Sequence, residues 1–208
     1  MAAKPTIRRH WFPLLLLLFL VALGIWARLS RVEPGAPAGS AGEWTVVESC
    51  EFMPGRYHDG DSFHVLAGRK EYVFRLYFVD APETDRRFGR AAEQAEYWGL
   101  SEEDVLGAGG EAAELARRLL EEGDVTVATK WRKTGGGSSM PRYYAVVTAG
   151  GRDLAQELVD SGLARVRGAK ADLPDGTLAE DVERSLREAE ARAKARGAGA
   201  WGRREGGL

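Results

Sequence analysis

The strand predicted at residues 71–79 constrains the fold more than any other segment, because a single charge interrupts its apolar sequence. That charge is Arg75, within Phe74-Arg75-Leu76-Tyr77-Phe78-Val79. A buried guanidinium needs an anionic partner. Residues 62–66 alternate between apolar and polar side chains, and Ala67-Gly68-Arg69 forms a turn between the two segments, which predicts a hairpin. The first strand of this hairpin would bring a carboxylate to Arg75.

Carboxylates lie where this hairpin can use them. Asp61 sits at the start of the paired strand, and Asp80 ends the strand that contains Arg75. Two carboxylates at adjacent strand ends can converge on a hard cation, which prefers oxygen ligands. Pro82 ends the ladder and would place Glu83 beside that cation, where it can act as a general base on water.

Two arginines complete the predicted site. Arg75 and Arg142, which stands at the head of a later strand, can grip a phosphate in a fork geometry that lysine cannot match. A metal, a base and cationic clamps together make a site for phosphodiester hydrolysis. Each part alone has a simpler interpretation: Asp59-Gly60-Asp61 as a solvated surface turn, and Arg75 as a structural salt bridge. The joint pattern is far more specific than any member.

The order of the predicted elements indicates the fold class. Strands are predicted at residues 44–53, 62–66, 71–79, 124–131 and 142–148, with a short last strand at 164–167. Helices are predicted at residues 88–98, 111–121, 154–161 and 178–196, the first two separated by the glycine-rich stretch 107–110. This order predicts an α+β fold, a five-stranded OB-type β-barrel with three or four packed helices, preceded by an N-terminal hydrophobic helix.

The candidate site residues belong to longer motifs. These are Asp59-Gly60-Asp61-Ser62, Arg75-Leu76-Tyr77-Phe78-Val79-Asp80-Ala81-Pro82-Glu83-Thr84, Arg142-Tyr143-Tyr144-Ala145, Leu158-Val159-Asp160-Ser161-Gly162-Leu163-Ala164 and the closing Ala200-Trp201. In order, spacing and content, residues 57–201 resemble the staphylococcal nuclease (thermonuclease) domain, and the second motif is the most specific. The resemblance implies a calcium-dependent endonuclease that hydrolyses the phosphodiester bonds of DNA or RNA.

The resemblance also implies a role for each site residue. Asp61 and Asp80 would bind Ca²⁺, with the backbone carbonyl of Ala81 as a further ligand. Asp59 would contact the metal indirectly, through a bound water. Glu83 would be the general base or would orient the attacking water. Arg75 and Arg142 would bind the scissile phosphate and stabilise the charged transition state.

The chain departs from the family pattern at two places. Met140-Pro141 precedes Arg142 where the family often has Tyr-Gly, and residues 165–170 lack the tyrosines that often contact the nucleotide. Tyr143 or Tyr144 could substitute for those tyrosines, and Arg165, Arg167 and Lys170 could hold phosphates instead. Residues 99–110 form an insertion to which the sequence assigns no role. The glycine-rich loop 132–141 is a candidate cover for the site.

The N-terminus predicts export. Lys4, Arg8 and Arg9 precede an uncharged run at residues 11–27, which is close to the shortest apolar segment that spans a bilayer. Residues 1–29 are therefore predicted to be an uncleaved membrane anchor, oriented N-in and C-out. A cleaved signal peptide is the alternative, although no good cleavage site follows the run. Residues 30–43 read as a flexible linker, and residues 44–208 as the nuclease-like domain.

Charge and cysteine content limit the other possibilities. The net charge is −2, and the residues after the basic N-terminus are more acidic still, so a globally basic nucleic-acid binder is excluded. Cys50 is alone and predicts a small buried residue. The leading hypothesis is a monomeric, exported nuclease acting on accessible, preferably single-stranded DNA or RNA. The rivals are a catalytically inactive nucleic-acid-binding module and a structural or calcium-storage protein.

Overall fold

The computed structural model describes residues 42–87, 89–135 and 140–203. The predicted N-terminal hydrophobic helix and nearly all of the predicted linker lie outside these residues. Within the described ranges, no helix has both the length and the apolar character needed to cross a membrane.

The elements follow the predicted order. In chain order the strands are β1 (Thr45–Phe52), β2 (Ser62–Ala67), β3 (Lys70–Leu76), β4 (Val79–Asp80), β5 (Val125–Lys133), β6 (Arg142–Ala149), β7 (Arg152–Asp153) and β8 (Arg165–Val166). The helices are α1 (Arg90–Trp98), α2 (Glu102–Glu122), α3 (Leu154–Asp160) and α4 (Ala179–Ala195), followed by a 3₁₀ helix at Gly199–Arg203. The chain is therefore α+β.

The five long strands close into a barrel. They pair in the order β3-β2-β1-β5-β6, and a parallel pairing between β3 and β6 completes the ring. Alternate residues of each strand point inward, and Phe63, Val65, Val127 and Val147 are almost fully buried. Each such side chain contributes about 1.5–3 kcal/mol of burial free energy. The predicted five-stranded barrel of the OB type is confirmed.

The single long strand predicted at residues 71–79 is wrong at its end. β3 stops at Leu76, and Phe78 adopts a left-handed backbone conformation with φ of 68°. The backbone N–H of Phe78 donates to the carbonyl of Ala169, at 2.8 Å. Asp80 then belongs to β4, which pairs with β8 rather than with the barrel. This break turns Asp80 back towards Arg75, five residues earlier.

The glycine-rich stretch 107–110 does not separate two helices, contrary to the prediction. α2 runs through it without interruption, so part of the predicted insertion is the first half of this helix. The reason is close packing: a Cβ on Gly109 would lie 2.2 Å from the carbonyl oxygen of Glu83. Similarly, a Cβ on Gly60 would lie 2.7 Å from Cβ of Ala112. α2 therefore supports both loops that carry the predicted site.

Candidate active site

Arg75 links the two predicted metal-binding carboxylates. Its Nη2 atom donates to Asp61 Oδ2 and to Asp80 Oδ1, each at 2.8 Å. Ser62 pairs with Arg75 across the β2–β3 ladder, which brings the start of β2 beside the guanidinium. The predicted convergence of Asp61 and Asp80 near Arg75 is confirmed, with Asp61 directly before β2 and Asp80 in β4.

The turn Asp59-Gly60-Asp61 is not the solvated surface turn that is the simpler interpretation of this motif taken alone. Asp61 is buried, and its Oδ1 accepts from the Ser62 hydroxyl while its Oδ2 also accepts from the backbone N–H of Ala81. Asp59 accepts through Oδ1 from the backbone N–H groups of Asp61 and Ser62. Burial, and then the neighbouring Asp61 charge, raise the pKa of Asp59 well above its usual value.

Asp80 is surrounded by donors. Its Oδ1 accepts from Arg75 and Arg90, and its Oδ2 accepts from Arg165 Nε at 2.9 Å and Gln94 Nε2 at 3.2 Å. Burial opposes the charge of this carboxylate, but Arg90, Arg75 and Arg165 outweigh burial and hold the pKa of Asp80 below its usual value. Asp80 is therefore a fully ionised, fully hydrogen-bonded group.

Gln94 holds the loop that follows β4. Its Nε2 atom donates to the Ala81 carbonyl at 2.9 Å, and its Oε1 atom accepts from the backbone N–H of Glu83 at 2.7 Å. Gln94 is fully buried in α1. The Gln94 amide thus holds Asp80, the Ala81 carbonyl and the Glu83 backbone in place. These three residues are the ones to which the resemblance gives metal-binding and base roles.

Glu83 lies beside this cluster and faces Arg90. The Arg90 Nη1 atom is 3.0 Å from Glu83 Oε1. Burial raises the pKa of Glu83, and the Arg90 charge offsets part of that effect. A carboxylate with a raised pKa is a stronger base, which suits the role predicted for Glu83.

Arg142 reaches the same site from β6. Its Nη1 atom donates to the Ser62 hydroxyl at 3.2 Å, and that hydroxyl in turn donates to Asp61. Its other donors reach the Thr134 hydroxyl and the Gly135 carbonyl at the start of the β5–β6 loop. Within the described residues, no Arg142 donor reaches a carboxylate, so its charge is not neutralised by an ion pair.

The cations predicted as alternative phosphate ligands are occupied. Arg165 is only 1% exposed and forms a two-pronged pair with Glu93, at 2.9 and 2.6 Å. Arg167 also pairs with Glu93, and Lys170 pairs with Glu183. The phosphate-binding role suggested for Arg165 is wrong, because its guanidinium is enclosed between Asp80, Glu93 and the aromatic rings of α1.

An aromatic surface adjoins the two site arginines. Tyr144 stands opposite Arg75 in the β3–β6 pairing and stacks on Tyr77, with ring centroids 5.2 Å apart. The Arg132 guanidinium lies 5.5 Å from the Tyr144 ring centroid. Trp44 packs edge-on against Tyr77. A half-buried tyrosine flanked by cations is suited to stacking on a nucleic-acid base.

The oxygen atoms at this site are of the kind that binds a hard cation, but the side chains alone do not supply a complete set of metal ligands. Among the described residues, no three His, Cys, Asp or Glu side chains are grouped as a metal cluster. Asp61 and Asp80 share one arginine nitrogen, and the Ala81 carbonyl belongs to the residue that follows Asp80. Two carboxylates with one carbonyl are oxygen donors of the kind Ca²⁺ binds, with water completing its shell. These ligands fit calcium if one of the arginines that donate to Asp80 moves away from its carboxylate.

Sequence reasoning missed the contribution of α1. Arg90, Glu93 and Gln94 all contact the site or its support, and none was singled out. Their spacing is the signal that was available, because residues three and four apart share one face of a helix. The same helix buries Ala91, Ala95 and Trp98, so polar residues next to these positions had to find polar partners inside the protein.

An apolar cleft lies away from these residues. A cavity of about 320 Å³ lies between β6, α3 and α4, lined by residues that include Val146, Ala155, Leu173, Val182 and Leu186. None of the predicted catalytic or metal-binding side chains lines it. This cleft is therefore separate from the polar end of the barrel that carries those side chains.

Fold and site together give a closed OB-type barrel with three acidic side chains and two arginines collected at one end. The family model for staphylococcal nuclease homologues matches residues 73–203, more than half of the chain, and the chain belongs to this family. Members of this family are generally nucleases, which hydrolyse phosphodiester bonds. The match begins at Val73, so Asp59 and Asp61 join the site through the contacts described above. No curated protein matched the chain.

Proposed function

We propose that this protein is a calcium-dependent endonuclease that cleaves accessible single strands of DNA or RNA. The observation that carries this proposal is the shared contact of Asp61 and Asp80 with one Arg75 nitrogen, beside Glu83. A purely structural ion pair does not require an additional carboxylate with a raised pKa, nor a second arginine at the same place that has no carboxylate partner among the described residues.

The metal would be held by Asp61, Asp80 and the Ala81 carbonyl. When bound, Ca²⁺ would supply positive charge to a phosphate oxygen. Asp59 supports this arrangement indirectly, because it shapes the turn that presents Asp61.

Arg75 and Arg142 would bind the scissile phosphate. Among the described residues, both ion pairs of Arg75 use Nη2, so its Nη1 and Nε hydrogens remain for a phosphate oxygen. Arg142 gives up only neutral hydrogen bonds when it turns to a phosphate. Donors that already face the reacting group stabilise the charge that grows in the transition state.

Glu83 would take the proton from the attacking water. Its raised pKa gives it basicity, and its fixed backbone, held by Gln94, keeps the carboxylate beside the site. The proton moves from water to a Glu83 carboxylate oxygen as the water oxygen attacks phosphorus. The bond between phosphorus and the leaving oxygen then breaks, and that oxygen acquires a proton from solvent.

Substrate choice is supported by the surface next to the arginines. Tyr144 with Arg132 can hold one unstacked base, a contact worth about 1–3 kcal/mol. A base inside a duplex cannot reach such a surface, and the acidic character of the chain opposes tight binding to duplex DNA. Accessible single strands are therefore the favoured substrate.

Cleavage by the full-length chain tests the proposal. Single-stranded DNA and RNA should be cut internally in the presence of calcium, left intact after chelation, and cut again when calcium is restored. Binding without cleavage under all three conditions would favour the inactive nucleic-acid-binding module. Cleavage that persists in excess chelator would refute the metal assignment.

We also propose that the nuclease domain is exported and tethered by residues 1–29, with the N-terminus inside. The basic residues before the uncharged run 11–27 support this orientation. The full-length protein should remain with membranes after washing in high salt and carbonate. Recovery solely as a soluble form that begins near residue 30–40 would instead support a cleaved signal.

A further inference from the structure

Arg90 occupies the space between two of the proposed functional carboxylates. It is the first residue of α1, its Nη2 atom contacts Asp80 Oδ1, and its Nη1 atom is 3.0 Å from Glu83 Oε1. Its side chain is 41% exposed. Among the described residues, Asp80 and Glu83 are its ion-pair partners, and both belong to the proposed metal and base machinery.

Asp80 has no acceptor position left for a cation. A carboxylate offers about four lone-pair positions, two on each oxygen. Arg75 and Arg90 use those of Oδ1, and Arg165 and Gln94 use those of Oδ2. A metal ion can bind Asp80 only if one of these four donors leaves.

Three of the four donors are fixed by other contacts. Arg165 is 1% exposed and is also paired with Glu93. Gln94 is fully buried and also binds the chain on both sides of Pro82. Arg75 is 13% exposed and also binds Asp61.

Arg90 differs from those three donors. Its guanidinium can swing into solvent without breaking a contact outside Asp80 and Glu83. Its departure frees one oxygen position on each of these carboxylates at the same time. A divalent cation that entered could interact with both carboxylates in place of the Arg90 guanidinium.

We propose that Arg90 competes with the metal for its site. In the calcium-free protein the Arg90 guanidinium binds between Asp80 and Glu83, and calcium must displace it. The inference rests on the proposed function, because it requires Asp80 to be a metal ligand. Its consequence is a calcium threshold. The apparent affinity for calcium equals the intrinsic affinity multiplied by the fraction of molecules in which Arg90 has left the site. When that fraction is small, the enzyme stays inactive where calcium is scarce.

Calorimetric titration of the full-length chain with calcium chloride tests this. Arg90→Met keeps the aliphatic stem and removes the guanidinium, and it should tighten calcium binding by about tenfold or more. Arg86→Met is the matched control. Arg86 is an exposed arginine four residues earlier that pairs with Glu102 and Glu103, so its loss removes the same charge without freeing Asp80. That control should change the affinity by less than about twofold, because salt screens distant exposed charges.

Stability supplies a second readout that a merely structural arginine would not give. Without calcium, Arg90→Met should unfold at a lower temperature than the wild type, because Asp80 and Glu83 lose a shared counter-charge. With calcium, the increase in its unfolding temperature should exceed that of the wild type. Arg90→Lys retains one charge and should lie between the two in calcium affinity, and it decides the matter if the methionine variant does not fold.

Two results would overturn the inference, and they are distinguishable. If the wild type binds calcium and the Arg90 variants bind it no more tightly than the Arg86 control does, Arg90 does not compete and the proposed function stands. If neither the wild type nor any variant binds calcium, the metal assignment in the proposed function fails, and the competitor role fails with it.

Discussion

The two ends of the site differ in how firmly the protein holds its charged groups. At one end, buried Asp80 accepts hydrogen bonds from three arginines and a glutamine. At the other end, half-buried Arg142 donates to two hydroxyls and one carbonyl, and none of its described partners is a carboxylate. The protein has neutralised the first end and left the second end with an unneutralised positive charge.

This difference separates stability from activity. A buried ionic cluster must be completely paired, because removal of one member leaves an uncompensated charge. A group held by neutral hydrogen bonds exchanges partners at lower cost. Substitutions of Asp80 or of the arginines that pair with it should therefore lower stability as well as rate, whereas substitutions of Arg142 should lower rate alone.

Glu83→Gln is expected to have the largest effect on rate, since it removes the base and keeps the shape of the side chain. Single-turnover cleavage with saturating calcium should slow by roughly 10²–10⁴. Thermal stability at neutral pH should not fall, because burial raises the pKa of Glu83 and the folded protein disfavours its charge. A variant that cleaves at the wild-type rate would exclude Glu83 as the base.

The pH profile is the control for that experiment. A base must be deprotonated to act, so the wild-type rate should be present above the raised pKa of Glu83 and lost as the pH falls through it. The residual activity of Glu83→Gln should lack this acid limb. Arg90 offsets part of the raised pKa, so Arg90→Met should move the acid limb to higher pH.

Replacing each phosphate-binding arginine by lysine sharpens the comparison between the two ends. Arg142→Lys should lower the cleavage rate by roughly 10²–10³ with little change in unfolding temperature, because a point charge cannot make paired contacts with a phosphate. Arg75→Lys should lower both quantities, since one ammonium must replace a guanidinium that bridges Asp61 and Asp80. Equal losses of stability in the two variants would break the distinction.

Gly109 and Gly110 are a matched pair for the support beneath the Asp80 end. A Cβ on Gly109 would lie 2.2 Å from the Glu83 carbonyl oxygen, whereas one on Gly110 would meet nothing within 4 Å. Gly109→Ala should therefore destabilise the protein by about 1–3 kcal/mol and displace the Glu83 loop. Gly110→Ala should stabilise α2 by about 0.5–1 kcal/mol. Urea unfolding measures both, and two changes of the same sign would contradict this packing.

The sequence predicted the barrel and the contact between Arg75 and its two carboxylates for a physical reason. A charge in an apolar strand must be compensated, and the hairpin left Asp61 within reach. Alternation of apolar and polar residues likewise located the long strands. Burial of lone Cys50 was also correctly anticipated, and burial raises the pKa of its thiol to about 11.

What the sequence could not predict depended on contacts between distant segments. The glycines of α2 resemble a helix breaker unless one knows that Gly109 faces the Glu83 carbonyl. Arg165 resembles a free cation unless one knows that α1 brings Glu93 against it. The turn at Asp61 resembles a solvated loop unless α2 is seen to cover it. In each case, tertiary packing determined a role that local composition left open.

Asp59→Asn should have the smallest effect, and it tests whether the carboxylate-rich end carries more negative charge than the calcium-free protein favours. Burial and the Asp61 charge raise the pKa of Asp59, so above that pKa its ionised form destabilises the fold. Asparagine keeps the Oδ1 acceptor for the backbone N–H groups of Asp61 and Ser62. The free energy of unfolding without calcium should therefore rise by about 0.5–2 kcal/mol at pH 8.

That gain should shrink as the pH falls below the raised pKa and vanish near the usual aspartate pKa, where wild-type Asp59 becomes neutral in the folded and the unfolded protein alike. Urea titrations at pH 8 and at pH 4 measure the difference. A loss of stability at pH 8 would mean that the charge of Asp59 is compensated within the calcium-free fold. The Asp80 end would then be balanced without a metal, which would weaken the case that this end of the site is built to receive one.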